Sequence, residues 1–382
     1  MKVLHLCKFF PPEPGGMEAV VFELAEGLAR RGIDLDVLCA GRGRRTVVEA
    51  RPAGYRVTRA GSWGSVLATS VAPALLGRLR ELQQGRDLIH VHMPDPLAAL
   101  ALWHQPTPAK VVVHWHSDVV RQRIARRLYE PLQQWLLSRA DAIVATSEPY
   151  AASSPWLKRW SAKTTVVPIG IGDNAGRRDA AAAESIRRRF GNRRIVFSLG
   201  RMSQYKGFDV LIDAASRLPE HCVVVVGGDG ELLERHRREV AARGLADRIV
   251  FVGRISDQEL TAYYQAAHVF CLASTLRSEA YGVAIVEAMA MSTPIVATDI
   301  AGSGVPWVNQ SGVTGKNVPP GDSQALAEAL TEIIDDEALT ARYAHAARKR
   351  YLKHLTATSM VDATARLYER VLAGAPAAPH NP

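Results

Sequence analysis

The stretch "RIVFSLGRMSQYKG", residues 194–207, sets the architecture of the chain. Its first half is an apolar run containing β-branched and aromatic residues, which predicts a buried strand. A short basic loop follows, and a helix is expected to begin near Gly207. A buried strand that leads directly into a helix is one repeat of a parallel α/β sheet.

The same alternation recurs in two series, which are separated by a stretch rich in Gly, Ala and charge at 166–185. The first series has the apolar runs 2–7, 33–40, 87–92, 110–116 and 141–147. The second has the apolar runs 194–200, 222–228, 248–253, 268–274 and 294–298. The sequence therefore predicts an α/β protein of two Rossmann-like domains that face each other across a cleft, with an interdomain linker at the separating stretch.

Composition narrows the class of protein. The chain has 382 residues, of which 47% are apolar and 22% charged, as expected for a soluble two-domain protein. No run of about 18 apolar residues occurs, so no transmembrane helix is expected, and the apolar start "MKVLHLCKFF" is interpreted as a strand and not as a signal peptide. The cysteines lie in apolar runs without CxxC spacing, which predicts buried, reduced thiols in a cytoplasmic protein: Cys7, Cys39, Cys222 and Cys271.

The net charge of +9 lies mostly in residues 1–170, which suggests an acidic surface as a partner. The stretch 118–138, "DVVRQRIARRLYEPLQQWLLS", mixes arginines with apolar residues. Two interpretations stay open: a basic amphipathic helix that contacts an anionic inner membrane, or a domain helix with a solvated arginine face. No motif typical of nucleic-acid readers is present, so no nucleic-acid partner is expected.

Polar residues and glycines follow several predicted strands, at the edge where parallel sheets bind ligands. Gly15 and Gly16 precede the first helix, where they form either an anion-binding turn or an ordinary one. They do not form GxGxxG, which weakens a dinucleotide-cofactor interpretation. His116 ends a strand and is a candidate for the site. Arg201 and Lys206 flank a strand-to-helix turn, where two cations suit a diphosphate.

The stretch "SEAYGVAIVEAM", residues 278–289, holds two carboxylates on either side of a helix start. Glu279 precedes the helix, and Glu287 lies more than one turn inside it. The amides of Tyr281, Gly282 and Val283 lie between them and are suited to phosphate oxygens, while the carboxylates are suited to sugar hydroxyls. For Glu287, the alternative is an ordinary exposed helix residue.

Four motifs together resemble retaining glycosyltransferase family 4, which has the GT-B fold. They are "PPEPGGME" (11–18), "VPIGI" (167–171), "GRMSQYKG" (200–207) and "EAYGVAIVE" (279–287), and the resemblance covers nearly the whole chain. It implies that the last helix, 357–373, returns to an N-terminal acceptor-binding domain, 1–170. It also implies that 171–356 is the nucleotide-sugar-binding domain. The tail 374–382 is predicted to be disordered.

The resemblance also implies roles for the candidate residues. Arg201 and Lys206 hold the donor diphosphate, Glu287 the ribose and Glu279 the transferred sugar. His116 lies near the 6-hydroxyl of that sugar. The donor site is completed by Gly15, Gly16, Arg254 and Ile255, the last two beside the base, and by the segment Glu279, Ala280, Tyr281, Gly282 and Val283.

A finer resemblance is to bacterial O-antigen and lipopolysaccharide transferases that move mannose or rhamnose from GDP-sugars. It rests on "VHMPDPLAALAL" (91–102), "RSEAYG" (277–282) and "GSGVPWVNQSGVTG" (302–315). Many relatives have Pro-Glu where this chain has Pro306-Trp307, so no ligand contact is assigned to that loop. The implied partners are a nucleotide-sugar donor and a glycan or lipid-linked glycan acceptor. The implied location is the cytoplasm, with the cytoplasmic face of the inner membrane as the site of any peripheral contact.

The implied mechanism keeps the anomeric configuration of the sugar and needs neither a cofactor nor a metal, because Arg201 and Lys206 neutralise the diphosphate. "DLD" (34–36) has the form of a manganese-binding motif, but its alternation with apolar residues favours a solvated strand face. The alternatives that remain are a UDP-sugar-dependent transferase, a nucleotide-sugar epimerase of the same architecture, an NAD-dependent oxidoreductase and a non-catalytic partner subunit.

Overall fold

The computed structural model describes residues 1–66, 69–118, 123–173 and 178–375. The chain forms two compact units: Met1–Gly172 together with the chain from Ala357 onward, and Asp173–Thr356. The sequence placed these boundaries at 170 and 356. Most of the predicted tail, 376–382, lies outside the described residues.

The first unit is built on an eight-stranded sheet. Its strands, with the small hairpin β5–β6, are β1 (Lys2–Cys7), β2 (Asp34–Ala40), β3 (Val47–Ala50), β4 (Arg56–Ala60), β5 (Ser65–Val66), β6 (Thr69–Ser70), β7 (Leu88–Met93), β8 (Lys110–Trp115), β9 (Ala142–Ala145) and β10 (Thr164–Val166). The order is β10-β9-β8-β7-β1-β2-β4-β3. Neighbouring strands are parallel except β3, which pairs antiparallel with β4. Central strands such as β7 are buried along their whole length, which explains their continuous apolar sequences.

Helices connect these strands. They are α1 (Gly16–Arg30), α2 (Ala74–Leu82), α3 (Pro96–His104), α4 (Arg123–Arg139), α5 (Glu148–Ser153) and α6 (Pro155–Arg159). In α1, Val20, Leu24 and Leu28 recur at helical spacing and are buried, so one stripe of the helix packs inward. The side chain of Asp95 caps α3 by accepting hydrogen bonds from the amides of Leu97 and Ala98.

The second unit has a six-stranded, wholly parallel sheet in the described chain. Its strands are β11 (Arg194–Leu199), β12 (Cys222–Gly227), β13 (Ile249–Gly253), β14 (Val269–Leu272), β15 (Ile295–Thr298) and β16 (Gly315–Val318). Its helices are α7 (Ala180–Arg189), α8 (Phe208–Ala215), α9 (Leu233–Ala242), α10 (Asp257–Ala266), α11 (Val283–Ala290), α12 (Val305–Val308), α13 (Ser323–Asp335) and α14 (Glu337–His354). The order is β13-β12-β11-β14-β15-β16.

In each sheet, the order in which successive strands are added reverses at the first strand. In the first unit β1 pairs with β2 on one side and with β7 on the other. In the second unit β11 pairs with β12 on one side and with β14 on the other. Ligands of open parallel sheets bind at such a switch point, beyond the carboxyl ends of the strands. The loops after β11 and β14 therefore frame the expected binding position of the second unit.

The last helix, α15 (Ala357–Leu372), belongs to the first unit, as predicted. Val361 packs directly against Gly27 of α1, where a β-carbon would overlap its side chain. Asp362 forms an ion pair with Arg31, at the end of the same helix. The hydroxyl of Tyr368 hydrogen-bonds to histidines of β1 and β7. The helix is therefore an integral layer of the first unit.

Two local predictions were wrong. Residues 180–185 do not belong to a linker but begin α7, whose first turn is capped by the side chain of Asp179. Asp36 does not lie on a solvated face: it is 5% exposed, accepts hydrogen bonds from Arg56 and forms an ion pair with Arg86. A carboxylate held by two arginines serves the packing of the sheet.

The prediction for the cysteines is confirmed: all four are free and buried. No helix among the described residues is long and apolar enough to cross a membrane. The predicted basic stretch 118–138 includes α4, but its residues 119–122 lie outside the described residues, and the prediction for its arginine cluster is not tested.

Candidate functional site

The charged centre of the second unit is an ion pair between the loops that follow β11 and β14. Lys206 Nζ lies 2.5 Å from Glu279 Oε2, and Ser274 Oγ donates a 2.9 Å hydrogen bond to the same oxygen. Burial lowers the pKa of Lys206, but attraction to the Glu279 carboxylate outweighs it, so the pKa lies above its usual value. The structure thus places a permanent cation at the switch point.

A glycine positions that cation. Lys206 ends a single 3₁₀ turn, Gln204–Lys206, and Gly207 follows with φ of 66°. This left-handed conformation suits glycine, and a β-carbon here would also overlap the carbonyl oxygen of Ala273. The "KG" pair therefore lets the chain turn sharply into α8 while Lys206 stays beside the end of β14.

The second glutamate has a different environment. Glu287 lies on α11, and Tyr264 donates a 2.7 Å hydrogen bond to its Oε2. Burial raises the pKa of Glu287 to about 6, opposed by the Tyr264 hydrogen bond and by the charge of Lys206. The structure therefore pairs Lys206 directly with Glu279 and places Glu287 on the helix that follows, where the charge of Lys206 still acts on it.

Helix α11 begins between the two glutamates. Gly282, at its N-cap, has φ of 84° and makes no side-chain cap. The first amides of a helix lack intrahelical acceptors, and the helix dipole makes this end favourable for anions. Ala280 and Tyr281, which precede the turn, are 8% and 3% exposed, so the predicted segment 279–283 is held by the core behind it.

Arg201 is exposed, and its positive charge opposes the rise in the pKa of Lys206. The Lys206 side chain passes close to Gly200, the chain neighbour of Arg201, where a β-carbon would lie 3.3 Å from Lys206 Cε. The loop that follows β12, residues 228–230, lies against the segment that contains Arg201. The amide of Met202 donates a hydrogen bond to the carbonyl of Asp229, and a β-carbon on Gly230 would lie 3.1 Å from Arg201 Cγ. The close approach of these backbones requires the glycines of "GGDG".

The two residues predicted to lie beside the base, Arg254 and Ile255, have different environments. Ile255 packs over Gly227, where a β-carbon would lie 2.5 Å from Ile255 Cδ1. The side chain of Arg254 is exposed, and no contact in the described structure joins it to Lys206 or Glu279. The structure therefore places Ile255 beside the predicted site and leaves Arg254 apart from the ion pair.

In the first unit, Gly15 is the N-cap of α1, which begins at Gly16. The carboxylate of Glu18 folds over Gly15, since a β-carbon at Gly15 would overlap Glu18 Oε2. An acidic group thus occupies the helix end where the sequence predicted an anion-binding turn. An anion that binds at these glycines has to displace the carboxylate or approach beside it.

His116 is 8% exposed and belongs to a group of stacked histidines. We define the histidine layer as the five histidines that lie on one face of β1, β7 and β8, four within the strands and His116 directly after β8: His5, His90, His92, His114 and His116. Burial lowers the pKa of each, to about 3 for His5 and His116, so these rings are neutral at ordinary pH.

Sequence reasoning missed several of these residues. It did not identify the loop 228–230, although two glycines and an aspartate directly after a strand are a signal for a close backbone approach. It identified His116 as a candidate but not His114, the two histidines of "HVH" in β7 or the histidine of β1. Tyr264 and Ser274 carry no pattern of their own, because their roles depend on helix and strand packing.

The comparisons with known proteins agree with this architecture. The family model "Glycosyltransferase Family 4" matches residues 14–174, and "Glycosyl transferases group 1" matches residues 181–350. Sucrose-phosphate synthase from Thermosynechococcus elongatus has the same fold, with a TM-score of 0.82, 24% identity and coverage of 98% of this chain and 100% of that chain. WaaG, a glycosyltransferase involved in lipopolysaccharide biosynthesis, gives a TM-score of 0.70 at 17% identity, with 96% and 99% coverage. The protein is a glycosyltransferase of the GT-B fold.

Curated relatives assign the family. The chain is 36% identical to the O-antigen chain mannosyltransferase C of Escherichia coli, over 97% of this chain and 99% of that protein. It is 32% identical to the D-rhamnosyltransferase WbpZ of Pseudomonas aeruginosa, over 94% and 93%. It is 29% identical to the phosphatidyl-myo-inositol mannosyltransferase of Mycobacterium leprae, over 97% of each. The chain belongs to glycosyltransferase family 4, which confirms the family predicted from its motifs.

Proposed function

We propose that this transferase moves a mannose- or rhamnose-type hexose from a GDP-sugar to a glycan or lipid-linked glycan in cell-surface polysaccharide synthesis, with retained configuration. The observation that carries the proposal is the 36% identity to an O-antigen chain mannosyltransferase along essentially the full length of both chains. The rhamnosyltransferase relative supports the second sugar. The phosphatidyl-myo-inositol mannosyltransferase supports a lipid-bearing acceptor.

In this proposal the second unit binds the donor. Lys206 and Arg201 neutralise the diphosphate, assisted by the amides at the start of α11. Glu287 accepts hydrogen bonds from the ribose hydroxyls, and Glu279 accepts one from the transferred sugar. The arrangement that supports these roles is the ion pair of Lys206 with Glu279, together with the position of Glu287 on the helix that begins directly after Glu279. The roles of Gly15, Gly16 and His116 in the first unit, and of Arg254 beside the base, rest on the resemblance alone.

The proposed chemistry is displacement on one face of the sugar. The bond from the anomeric carbon to the phosphate oxygen breaks, and the acceptor oxygen bonds to the same face of that carbon. The acceptor proton passes to a phosphate oxygen of the leaving nucleoside diphosphate. Glu279 is a poor nucleophile for a covalent route because its Oε2 is held by Lys206 and Ser274. The protein contributes position and positive charge, and one such cation is worth about 2–4 kcal/mol.

The decisive experiment is a donor screen followed by product analysis. Thermal unfolding of the purified protein is measured with GDP-mannose, GDP-rhamnose, UDP-glucose and the free nucleotides. A ligand at 100 times its dissociation constant adds about 2.7 kcal/mol of stability. The best donor is then incubated with a lipid-linked glycan, and the anomeric configuration of the product is read by NMR. A GDP-sugar donor and a retained configuration are expected.

Other outcomes contradict separate parts of the proposal. Stabilisation by UDP-sugars alone would contradict the GDP-sugar donor and indicate a UDP-sugar donor in its place. An inverted product would reject the same-face displacement. Conversion of the donor to an isomeric sugar without any acceptor would indicate an epimerase.

We also propose peripheral contact of the stretch 118–138 with the anionic cytoplasmic face of the inner membrane. The support is the run of arginines and apolar residues around α4. Co-sedimentation with anionic vesicles, and not with neutral ones, is expected for the wild type. It should be lost in Arg126→Gln/Arg127→Gln and kept in Arg237→Gln/Arg238→Gln, a pair on the exposed face of α9. Equal binding by both double variants would contradict the proposal.

A further inference from the structure

The histidine layer is a concentrated set of nitrogen ligands in the interior of the first unit. His90 and His92 alternate along β7, as His114 and His116 do from β8 onward, so the members of each pair face the same side of the sheet. His92 and His114 are register partners across the two strands. The ring centroids of His114 and His116 are 4.2 Å apart, and those of His92 and His116 are 5.3 Å apart.

One member of the layer lacks the partners that a buried polar side chain needs. His114 is 0% exposed, and neither of its ring nitrogens has a hydrogen-bond partner within the described parts of the chain. Buried polar atoms are nearly always paired, and an unpaired one carries its full desolvation cost. The structure therefore contains a buried imidazole whose ring nitrogens are available to a hydrogen-bonding group or a metal ion.

The nitrogens around His114 converge. One ligand atom each from His92, His114 and His116 lies within 4.8 Å of the other two. His92 Nδ1 is 3.0 Å from His116 Nε2. Two imidazole nitrogens on a tetrahedral zinc ion are about 3.3 Å apart, given zinc–nitrogen bonds of about 2.0–2.1 Å. Small side-chain shifts would therefore convert the contact between His92 and His116 into shared coordination.

We propose that His92, His114 and His116 bind one divalent transition-metal ion of the zinc type in the interior of the first unit. Neutral imidazole is a preferred ligand of such ions, and three histidines form a known zinc-binding set with an open fourth position. Coordination of His116 through Nε2 keeps its Nδ1–H available for the sugar contact proposed above. The metal does not serve the donor diphosphate, which Lys206 and Arg201 bind in the second unit.

The surrounding hydrogen bonds suit this trio. His92 Nε2 is 3.1 Å from His5 Nδ1, and His5 Nε2 is 3.1 Å from the hydroxyl of Tyr368 on α15. Ligating histidines almost always donate their second N–H to such a partner, which fixes the ring. In the competing trio, His5, His90 and His92, the Tyr368 hydroxyl already bonds one nitrogen of both His5 and His90. Both ring nitrogens of His114 lack a hydrogen-bond partner within the described structure, whereas His90 lacks one only at Nε2, so the trio that contains His114 gains more from a bound ion.

The test measures metal binding directly, on full-length protein without a polyhistidine tag. After treatment with a chelator, the protein is titrated with Co²⁺, followed by its visible absorption, and then with Zn²⁺. One equivalent of Co²⁺ with a tetrahedral spectrum, displaced by Zn²⁺, is expected. His114→Gln should lose this binding. His5→Gln should keep one equivalent at an affinity weakened about 10–100-fold, as for the loss of an outer partner.

His236→Gln is the matched control, because His236 is also buried with both nitrogens unpartnered in the described structure but lies in the second unit. It should bind one equivalent like the wild type. Should His114→Gln fail to fold by circular dichroism, His116→Gln, at the end of the sheet, replaces it with the same expectation. The proposal is overturned if the folded wild type takes up no Co²⁺, if the folded ligand variant keeps a full equivalent, or if only His5→Gln abolishes binding.

Discussion

Lys206 and Glu279 are 73 residues apart in the chain, and their charged atoms lie 2.5 Å apart after two adjacent strands. Their side chains are only 13% and 10% exposed. Removal of one member of a buried ion pair leaves the other charge without compensation, at a cost of about 3–5 kcal/mol. In the proposed function, the pair therefore joins donor binding to the stability of the second unit.

Lys206→Ala is expected to lower kcat/KM by a factor of about 10²–10³, because the leaving diphosphate loses a fixed cation. Steady-state kinetics check the rate, and urea unfolding measures the accompanying loss of stability. Lys349→Ala, at an exposed position of α14, is the control and should leave both unchanged. The double variant Lys206→Met/Glu279→Gln should regain stability but not activity. Unchanged donor affinity in folded Lys206→Ala would contradict the assignment.

Donor affinity should depend on pH through Glu287. Its pKa of about 6 means that the carboxylate is charged at neutral pH and becomes protonated as the pH falls through that value. The charged form is the better acceptor for ribose hydroxyls, so affinity for the nucleotide-sugar should fall about tenfold between neutral pH and about pH 5. Calorimetry over this range checks it. Glu287→Gln should bind more weakly with a flat pH profile, and a profile as steep as the wild type would reject the role.

Gly207 and Gly244 allow a matched test of the turn after Lys206. Their φ angles are 66° and 64°, but a β-carbon at Gly207 meets the Ala273 carbonyl, whereas one at Gly244 meets no atom within 4 Å in the described structure. Gly244→Ala should cost only the left-handed strain, about 1–2 kcal/mol. Gly207→Ala should cost about 1–3 kcal/mol more and weaken donor binding. Equal unfolding free energies for the two variants would show that the turn tolerates a side chain.

Transfer should not depend on Mg²⁺ or Mn²⁺, because side chains neutralise the diphosphate in the proposed mechanism. We expect the same initial rate in EDTA alone and after excess Mg²⁺ or Mn²⁺ has been added back. A rate that appears only after the addition would indicate that a metal ion, and not Lys206 and Arg201, neutralises the diphosphate.

Much of the fold could be predicted from the sequence because parallel strands are buried on both faces. Runs such as "CVVVVGG" correspond within a residue to strands such as β12. The edge strand β3 was missed, since Val47 and Val48 are exposed and its pairing with β4 depends on a neighbour. Glycine-rich 166–185 suggested a linker, but the alanines within it form the start of α7 once Asp179 caps them.

The site was partly predictable for a similar reason. Lys206, Glu279 and Glu287 could be placed at strand ends and helix starts, which are local features of the chain. The partners that tune them are not local: Tyr264 reaches Glu287 from α10, and Ser274 reaches Glu279 from the end of β14. The ion pair of the buried Asp36 likewise depends on Arg86, which lies 50 residues further along the chain.

The first unit is interrupted in sequence by the second, since α15 is encoded after Thr356. On the ribosome, Tyr368 therefore emerges only after the second unit has been synthesised. Until then the histidines of β1 and β7 lack their hydroxyl partner, and Gly27 lacks the side chain that covers it. The half of the protein made first is thus the half completed last, and a chain that terminates before α15 would carry a complete second unit and an unfinished first unit.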